Sequence, residues 1–484
     1  MVSGAKRQRI HLNTTRRFSV LDLTAGKPYV PSSSRDSVSD TSEIPKGWVS
    51  TYKFTGLPIP SESKTAVDKI LMDINEPYTR DLVINILRSK GGYEIKVGEG
   101  EGEEEVEGEE GWFQFSEYER VDWSSVLSGK TCTSNYCVRK GMSRKAQLWL
   151  YTRRFVAKNP GCMLSSGMAD SSIIETWAAF DDGGGAEQIT MGDGTRADFG
   201  GGVGMSTAEK IGMCCGEWLQ VLDQAEQRGE ETTWILKPSA TNRGAGIVVF
   251  NVYEELLDLL ISTPDVREWV VSRYIESPLL IRKRKFHIRA YVLAVGAVEV
   301  YFYDECLCLC AGTKYKKNNF DPYAHITNTC YQAEDPNFNE EECVLTLDDL
   351  NDELGGGDEA RRKVDKILAD MQGLTRELWK AFKGEFGVYA PLPGCWEHYG
   401  LDFLVEHREG GDGGGLHVVL LEVNPGPDFK QSGEKLKGIV GGVMEETIDL
   451  VFGGLEFDKE KNGNIFTKVW GEKLREEGVK MRLT

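Results

Sequence analysis

The chain has 484 residues, a length that exceeds one compact core and predicts two to four domains or lobes. Its hydrophobic fraction of 40% and charged fraction of 27% are typical of globular proteins and exclude a wholly disordered chain. The 57 Lys and Arg residues against 76 Asp and Glu residues give a net charge of −19, which argues against a protein that binds duplex DNA through counterion release.

The first 46 residues are predicted to form a flexible leader, because residues 31–46 are rich in Ser, Asp and Pro and offer little to bury. Its basic, acid-free start is a composition found in transit peptides, but the apolar core of a secretory signal is missing. The eleven cysteines contain no C-x-x-C pair, which favours a reducing, cytoplasmic compartment over a disulfide framework. Apolar runs such as residues 293–298 are too short to span a bilayer.

Next in chain order, residues 65–90 are predicted to be helical around a break at Pro77, because apolar residues such as Ile70 and Leu71 recur at helical spacing. The like-charged, glycine-rich run 98–111 predicts an extended, solvated loop. Two further stretches with one apolar face predict helices at residues 211–225 and 364–382. Short β-branched or aromatic runs predict strands at 233–237, 246–250, 268–275, 286–295, 298–303 and 417–423. Helices interleaved with strands indicate an α+β or α/β protein.

The sequence contains neither a P-loop nor a strand-anchored Rossmann motif, so a phosphate group would have to bind at a different kind of site. One candidate is WILKPSATNRGAG, residues 234–246, in which a strand delivers Lys237 and then breaks into a loop containing Gly244 and Gly246. Glycines let the backbone approach phosphate closely, and successive N–H groups can bind anion oxygens. By itself, the same pattern also fits a solvated lysine at the end of an edge strand.

A second candidate is RKRKFHIRAYVLAV, residues 282–295. The two-residue period of a strand places Lys285, His287, Arg289 and Tyr291 on one face. A Lys and an Arg on one face form a cationic surface suited to a triphosphate or a carboxylate. The alternative is a polar face exposed to water.

The third candidate combines YGLDFLVE, residues 399–406, with VVLLEVNPGP, residues 418–427. Glu422 and Asn424 are two positions apart on a strand and point the same way, and Asp402 can reach them from the adjacent strand. Three oxygen ligands of this type suit Mg²⁺ that bridges phosphates. Because a buried, unpaired Glu costs several kcal/mol, a cation partner is favoured at this position.

Six segments in order along the chain resemble the tubulin-tyrosine ligase family of the ATP-grasp superfamily: WILKP with its glycine loop, VVSRYIESPLLI, RKRKFHIRAYVL, HITNTCYQ, YGLDFLVE and LLEVNPGPDF. The resemblance covers about residues 136–452. It implies an α+β ATP-grasp fold with ATP and Mg²⁺ as cofactors. The implied lobes are N-terminal (47–141), central (142–280) and C-terminal (281–484), with ATP held between the last two.

The resemblance also implies roles for individual residues. Lys145 and Lys237 would meet the phosphates, and Ser272, Arg273, Tyr274 and Ile275 would form the hinge that holds adenine. Lys285 and Arg289 would contact phosphate and the reacting carboxylate, with His287, Thr327 and Asn328 nearby in the nucleotide site. The Mg²⁺ ligands would be Asp402, Glu422 and Asn424, and the residues implied to be catalytic are Lys285, Arg289 and Glu422.

Two positions depart from the family pattern. An Asp is usual where His287 stands, so nucleotide contacts there must differ. Many relatives place a basic residue near Leu309 to read the substrate tail, and this chain has none there. The pattern is similar to fungal and protist members, some of which are linked to cytoplasmic RNA granules.

The family chemistry joins a free amino acid to a protein carboxylate through an acyl phosphate. Three hypotheses follow for this chain. The first is addition of tyrosine to the C-terminal tail of α-tubulin, by a cytoplasmic, microtubule-associated enzyme. The second is a tubulin glutamylase or glycylase, and the third is a catalytically weak ATP-binding interaction protein. Because a tubulin tail is acidic, the first hypothesis predicts a positive groove that includes residues 282–285, Lys314, Lys316 and Lys317, away from the glutamate run.

Overall fold

A computed structural model of the chain describes residues 68–98, 111–180, 188–190, 196–198, 206–230, 232–241, 244–317, 321–336, 338–408, 415–427, 429, 434–452 and 464–471. The predicted leader and the glutamate run at 99–110 lie outside the described residues. Helices and sheets occur together throughout, which confirms the predicted mixed α and β class. The described residues fall within one compact unit, residues 54–479, so the predicted division into three lobes remains a proposal.

The first sheet is parallel, with strand order β2-β1-β3-β4. Its elements are β1 (Lys69–Asp73), α1 (Pro77–Lys90), β2 (Glu94–Val97), β3 (Phe113–Ser116), the 3₁₀ turn Tyr118–Arg120, α2 (Trp123–Leu127) and β4 (Cys132–Thr133). The helix predicted for residues 65–90 is therefore wrong before Pro77. Ile70, Leu71 and Met72 are buried on both faces of an inner strand, and such a run also matches helical spacing. The helix itself begins where Glu76 accepts hydrogen bonds from the N–H groups of Tyr78 and Thr79.

Three helices lead to the second sheet: α3 (Lys140–Ser143), α4 (Lys145–Lys158) and α5 (Leu164–Gly167). The next elements are β5 (Ser171–Glu175), the 3₁₀ turn Trp177–Ala179, β6 (Gln188–Thr190), β7 (Arg196–Asp198), α6 (Thr207–Cys214), α7 (Gly216–Gln227), β8 (Trp234–Pro238), β9 (Val248–Phe250), α8 (Tyr253–Ser262) and β10 (Glu268–Arg273). The sheet is antiparallel in the order β5-β10-β8-β9, and β6 pairs with β7. The prediction of a single helix at 211–225 is wrong, because α6 ends at Cys214 and α7 begins at Gly216. With the break at Cys215, Ile211 of α6 and Trp218 of α7 are both buried in the same core.

The third sheet is built around one long central strand. Its elements are β11 (Leu280–Ile281), β12 (Arg284–Val295), β13 (Glu299–Tyr303), β14 (Leu307–Cys310), α9 (Pro322–His325), α10 (Thr329–Gln332), α11 (Glu340–Cys343), β15 (Val344–Thr346), α12 (Leu347–Glu353), α13 (Gly357–Phe382), β16 (Trp396–His407), β17 (Leu416–Pro425), α14 (Glu434–Val451) and β18 (Phe466–Gly471). Strand β12 pairs with β11, β13, β14 and β16, and β16 pairs with β17, all antiparallel.

The two faces of β12 pack against different helices. Ile288 and Val292 join the core that contains α13, whereas Tyr291 and Leu293 join the core that contains α14. This is the alternation expected of a strand buried on both sides. Within the part of the chain that the structure describes, no helix is long and apolar enough to cross a membrane.

Strand register brings the polar residues of three strands together at one end of this sheet. Arg289 on β12 is directly opposite Asp402 on β16, and Asp402 is directly opposite Glu422 on β17. Asn424 is opposite Gly400, two residues further along the same pair of strands. The register therefore places a cation and two carboxylates side by side.

Candidate active site

A cleft lies between the second and third sheets and encompasses about 920 Å³, including its open mouth. Its walls are strands β8 and β10 on one side, strands β12, β16 and β17 on the other, and the loop around residues 325–328. All residues predicted for nucleotide binding except His287 line it: Lys145, Lys237, Ser272, Arg273, Tyr274, Ile275, Lys285, Thr327 and Asn328. Apolar side chains line the remainder, among them Leu148, Ile235, Val270 and Leu420. A largely apolar cleft of this size with a few convergent charged groups is a typical ligand site.

Lys145 and Lys237 reach the cleft from opposite elements. Lys145 is the first residue of α4, and its Nζ donates to the carbonyl of Thr241 at 2.8 Å and lies 3.6 Å from Glu422 Oε2. Lys237 comes from β8, where burial lowers its pKa, an effect opposed by Glu422 and reinforced by Lys145. The two lysines thus form a cationic pair over one carboxylate.

The predicted phosphate loop begins beyond β8, and its middle residues, 242 and 243, lie outside the described residues. Gly244 has a φ of +78°, and a Cβ there would lie 3.2 Å from Asn328 Oδ1. A Cβ on Gly246, whose φ is +73°, would lie 2.9 Å from Pro238 Cγ. Both positions therefore favour glycine for their backbone conformation, and a Cβ would crowd Asn328 at Gly244 and Pro238 at Gly246.

Lys285 is held by groups that the sequence analysis did not assign to it. Its Nζ donates to Tyr274 Oη at 2.9 Å and to the carbonyl of His325 at 3.1 Å, and it lies 4.4 Å from the centre of the Tyr274 ring. Tyr274 Oη also lies 2.6 Å from His325 Nδ1. Burial, and then the nearby charge of Lys237, lowers the pKa of Lys285 to about 7. The sequence could have indicated a role for His325, because it is the first residue of the HITN motif.

Arg289 donates through Nε to Asp402 Oδ1 and through Nη2 to Oδ2, the latter at 3.0 Å. Burial raises the pKa of Asp402 to about 7 against the opposing effect of Arg289. Burial also acts to raise the pKa of Glu422, but Lys145, the hydrogen bond with Asp402, Lys237 and Arg289 together lower it to about 2. Neighbouring carboxyl groups thus have pKa values driven apart, a pattern that clusters at functional sites.

The predicted metal ligands lie together. Asp402 and Glu422 are cross-strand partners, and Asn424 Nδ2 donates to Glu422 Oε1 at 3.3 Å. Their oxygens are of the type that Mg²⁺ takes, so the residues fit a divalent cation. Among the described residues, no three His, Cys, Asp or Glu side chains already converge as a metal site. In this state Arg289 engages Asp402 and Lys145 lies beside Glu422.

His287 does not line the cleft and is only 2% exposed. Its Nδ1 is 2.7 Å from Thr327 Oγ1, while its Nε2 is buried without a hydrogen-bond partner. Nε2 is 3.7 Å from Asp402 Oδ1, beyond hydrogen-bond distance. The structure therefore places His287 beside the predicted metal ligands and not at the accessible cleft surface.

A family model described as the tubulin-tyrosine ligase family matches residues 209–460, slightly more than half of the chain. The chain belongs to the tubulin-tyrosine ligase family. It is 29% identical over 421 residues to a protein named probable tubulin–tyrosine ligase in Schizosaccharomyces pombe, covering 79% of this chain and 90% of that protein. It is 25% identical over 384 residues to the probable tubulin–tyrosine ligase PBY1 of Saccharomyces cerevisiae, covering 69% of this chain but 45% of that protein.

Among solved structures, the chain is similar to the C-terminal domain of K. lactis Pby1, described as an ATP-grasp enzyme that interacts with the mRNA decapping enzyme Dcp2. The TM-score is 0.56 at 24% identity, over 84% of this chain and 99% of that one. The likeness confirms the ATP-grasp fold. Family and fold together support an ATP-dependent ligase in general terms and imply ATP and a divalent metal as cofactors.

Proposed function

We propose that this family member uses ATP and a divalent cation to join an amino acid to a protein carboxylate, adding tyrosine to the C-terminal tail of α-tubulin. One observation carries the proposal: Lys145, Lys237 and Lys285 line one cleft, and a cation with two carboxyl groups lies directly behind them. Glu422 is 3.6 Å from Lys145, and Asp402 pairs with Arg289. When all six are ionised, four positive charges face two negative ones. A nucleoside triphosphate bound with one divalent cation brings about two net negative charges, which balances the surplus.

The parts of the cleft suit different parts of ATP. The apolar wall beside Ser272–Ile275 would hold adenine, and Lys145, Lys237 and Lys285 would hold the phosphates. The divalent cation would be held by Asp402, Glu422 and Asn424, and when bound it would neutralise charge on the phosphate oxygens. These assignments combine the position of each residue in the cleft with the role that the family resemblance implies.

The reaction follows from these positions. An oxygen of the acceptor carboxylate attacks the γ-phosphorus of ATP, and the bond between that phosphorus and the β,γ-bridging oxygen breaks. ADP departs, and the acceptor is now an acyl phosphate. The amine of the amino acid then attacks the acyl carbon, phosphate leaves, and the amine loses a proton as the amide forms. Arg289 would orient the acceptor carboxylate, and Lys285 would stabilise charge on the transferred group.

The chemistry requires no side-chain nucleophile, and the buried cysteines on β14 do not offer one. Burial raises the pKa of Cys308 well above its usual value, and the same cause raises the pKa of Cys310 to about 12. A thiol that stays protonated is a poor nucleophile. Positioning and charge neutralisation would therefore supply the catalysis.

A labelling assay tests the proposal. Purified protein is incubated with ATP, Mg²⁺, detyrosinated tubulin and labelled tyrosine, glutamate or glycine in separate reactions. We expect tyrosine to be incorporated, and incorporation to be lost in Glu422→Gln but retained in Glu359→Gln, a matched change on the exposed side of α13. Incorporation of glutamate or glycine in place of tyrosine would show that the protein adds that amino acid, as a glutamylase or a glycylase does. Tyrosine labelling that persists in Glu422→Gln would contradict the assignment of Glu422.

A second candidate is an ATP-binding interaction protein with weak or no ligase activity. It is favoured by the structural likeness to the Pby1 domain, whose described partner is a decapping enzyme, and by His287, which stands where the family usually has an Asp. Saturable ATP binding without incorporation of any of the three amino acids would support it. Cytoplasmic, microtubule-associated localisation belongs to the first candidate, and association with RNA granules belongs to the second.

A further inference from the structure

His287 Nε2 is a buried polar atom without a hydrogen-bond partner, and it lies beside the Asp402 carboxyl group. Its positively charged neighbours are Lys237, Lys285 and Arg289, and none of them donates a hydrogen bond to it. Lys285 donates to Tyr274 and Arg289 donates to Asp402. A buried polar atom without a partner is energetically unfavourable, and a ligand that accepts its lone pair would remove that cost.

The other side of the ring is fixed. Nδ1 lies 2.7 Å from Thr327 Oγ1, within hydrogen-bond distance. A proton on Nδ1, donated to the threonine hydroxyl, leaves the lone pair on Nε2. Imidazoles that bind metals commonly have this arrangement, in which the second nitrogen donates to a polar group that fixes the orientation of the ring.

The carboxyl group of Asp402 lies near Nε2. The 3.7 Å from Nε2 to Asp402 Oδ1 is too long for a hydrogen bond. Two ligands of one cation, each about 2.1 Å from it, are separated by roughly 3.0 to 4.2 Å as the angle between them rises from 90° to 180°. A carboxylate oxygen has lone pairs enough to accept from Arg289 and still coordinate a cation.

We propose that His287 provides, through Nε2, a nitrogen ligand to the divalent cation that Asp402 and Glu422 hold, and that this ligand shifts the site's preference from Mg²⁺ toward Mn²⁺. The inference rests on the proposed function, because it concerns the same cation. Mg²⁺ takes oxygen ligands, whereas imidazole suits transition metals, and the affinity of nitrogen-containing sites rises along that series. A nitrogen donor therefore distinguishes this site from one built of oxygens alone.

Pulsed electron paramagnetic resonance of bound Mn²⁺ tests the ligand directly. The full chain, labelled with ¹⁵N-histidine, is loaded with Mn²⁺ and a non-hydrolysable ATP analogue, and coupling of the electron spin to ¹⁵N is recorded. Because only histidine carries the label, nitrogen from adenine does not interfere. We expect a ¹⁵N coupling in the native protein, no coupling in His287→Asn or His287→Asp, and an unchanged coupling in His417→Asn, whose ring lies against the carbonyl of Ser166.

Competition titrations supply the second readout. The ratio of Mn²⁺ to Mg²⁺ affinity, measured with the analogue bound, should fall on the order of tenfold in His287→Asp, which replaces nitrogen with oxygen. Mn²⁺ that binds with the analogue but shows no ¹⁵N coupling, or coupling that persists in His287→Asn, would overturn this inference alone. A native protein that binds neither Mn²⁺ nor the analogue would overturn the proposed function together with it.

Discussion

Arg289 and Asp402 are directly opposite each other on β12 and β16, and the guanidinium of Arg289 donates to both oxygens of the Asp402 carboxylate. The side chains are 11% and 3% exposed. The pair therefore joins the two longest strands of the third sheet at the base of the cleft. It also orients the carboxyl group of Asp402 where the proposed cation would bind.

Replacing Arg289 with Met should strongly destabilise the protein and abolish ligation. The change leaves a buried carboxyl without its partner, which costs about 3–5 kcal/mol in comparable buried pairs. Urea unfolding measures the loss. Arg361→Met, which removes an exposed pair with Asp365, should cost about 0.5 kcal/mol or less. Equal effects of the two substitutions would show that the Arg289 pair contributes no more than a surface contact.

Lys237→Met should separate stability from ligand binding. The native lysine is half-buried near Lys145, and loss of solvent around it lowers its pKa, so an apolar side chain removes an unfavourable charge in the absence of nucleotide. We expect thermal stability to stay the same or rise, and affinity for the ATP analogue to fall about 10- to 100-fold as a charged phosphate contact is lost. Differential scanning fluorimetry and calorimetric titration measure the two effects. Lys366→Met, on the exposed side of α13, should leave affinity unchanged, and a parallel loss of both properties in Lys237→Met would contradict the separation.

The alternation of side chains along strands made much of the fold and site predictable. The six predicted strands match observed strands to within two residues at each end. Lys285, His287 and Arg289 were predicted to share one face of a strand, because side chains two residues apart point the same way. In the structure Lys285 lines the cleft, and His287 and Arg289 lie beside Asp402. The roles predicted for these residues remain predictions, but the sequence did predict their proximity.

Other features depend on tertiary contacts that the sequence pattern does not encode. Ile70 and Leu71 fit a helical spacing as well as a strand buried on both faces, and pairing with β2 and β3 decides between them. The break at Cys215 reflects how two helices share one core. The bond from Lys285 to Tyr274 joins elements that no local pattern relates.

The turn between β11 and β12 stores backbone strain. Arg282 and Lys283 have φ values of +52° and +63°, a region that costs L-residues other than Asn and Asp roughly 1–2 kcal/mol each. The double change Arg282→Asn, Lys283→Gly supplies residues that favour this turn, and should raise the free energy of unfolding by about 2 kcal/mol. Urea unfolding measures the gain, and no gain would show that neighbouring contacts offset the strain.

The same double change tests the predicted positive groove. Both side chains are exposed, and the carbonyl of Lys283 accepts from the N–H of Tyr315, between Lys314 and Lys316. If this basic turn binds an acidic tail, the stabilised variant should show a higher KM for tubulin, with an unchanged KM for ATP and a weaker dependence on salt. An unchanged KM for tubulin would exclude the turn from the groove.

His398 should make the protein less stable as the pH falls. Its Nε2 lies 2.9 Å from Thr447 Oγ1, and burial lowers its pKa to about 3. Below about pH 6.5 the unfolded chain therefore takes up a proton that the folded chain does not, and the free energy of unfolding falls with pH by up to about 1.4 kcal/mol per unit between pH 6.5 and 3.

Replacing His398 with Gln removes that proton uptake. The stability advantage of the native protein over His398→Gln should be largest above pH 7 and should shrink by about 1 kcal/mol per unit as the pH falls from 6 to 5. Urea unfolding at several pH values measures it. Thr447→Val provides the control, because it removes the hydrogen-bond partner but leaves the ring buried, so it should lower stability while keeping the pH slope. A constant difference between the native protein and His398→Gln across this range would show that the imidazole is protonated equally in the folded and unfolded states.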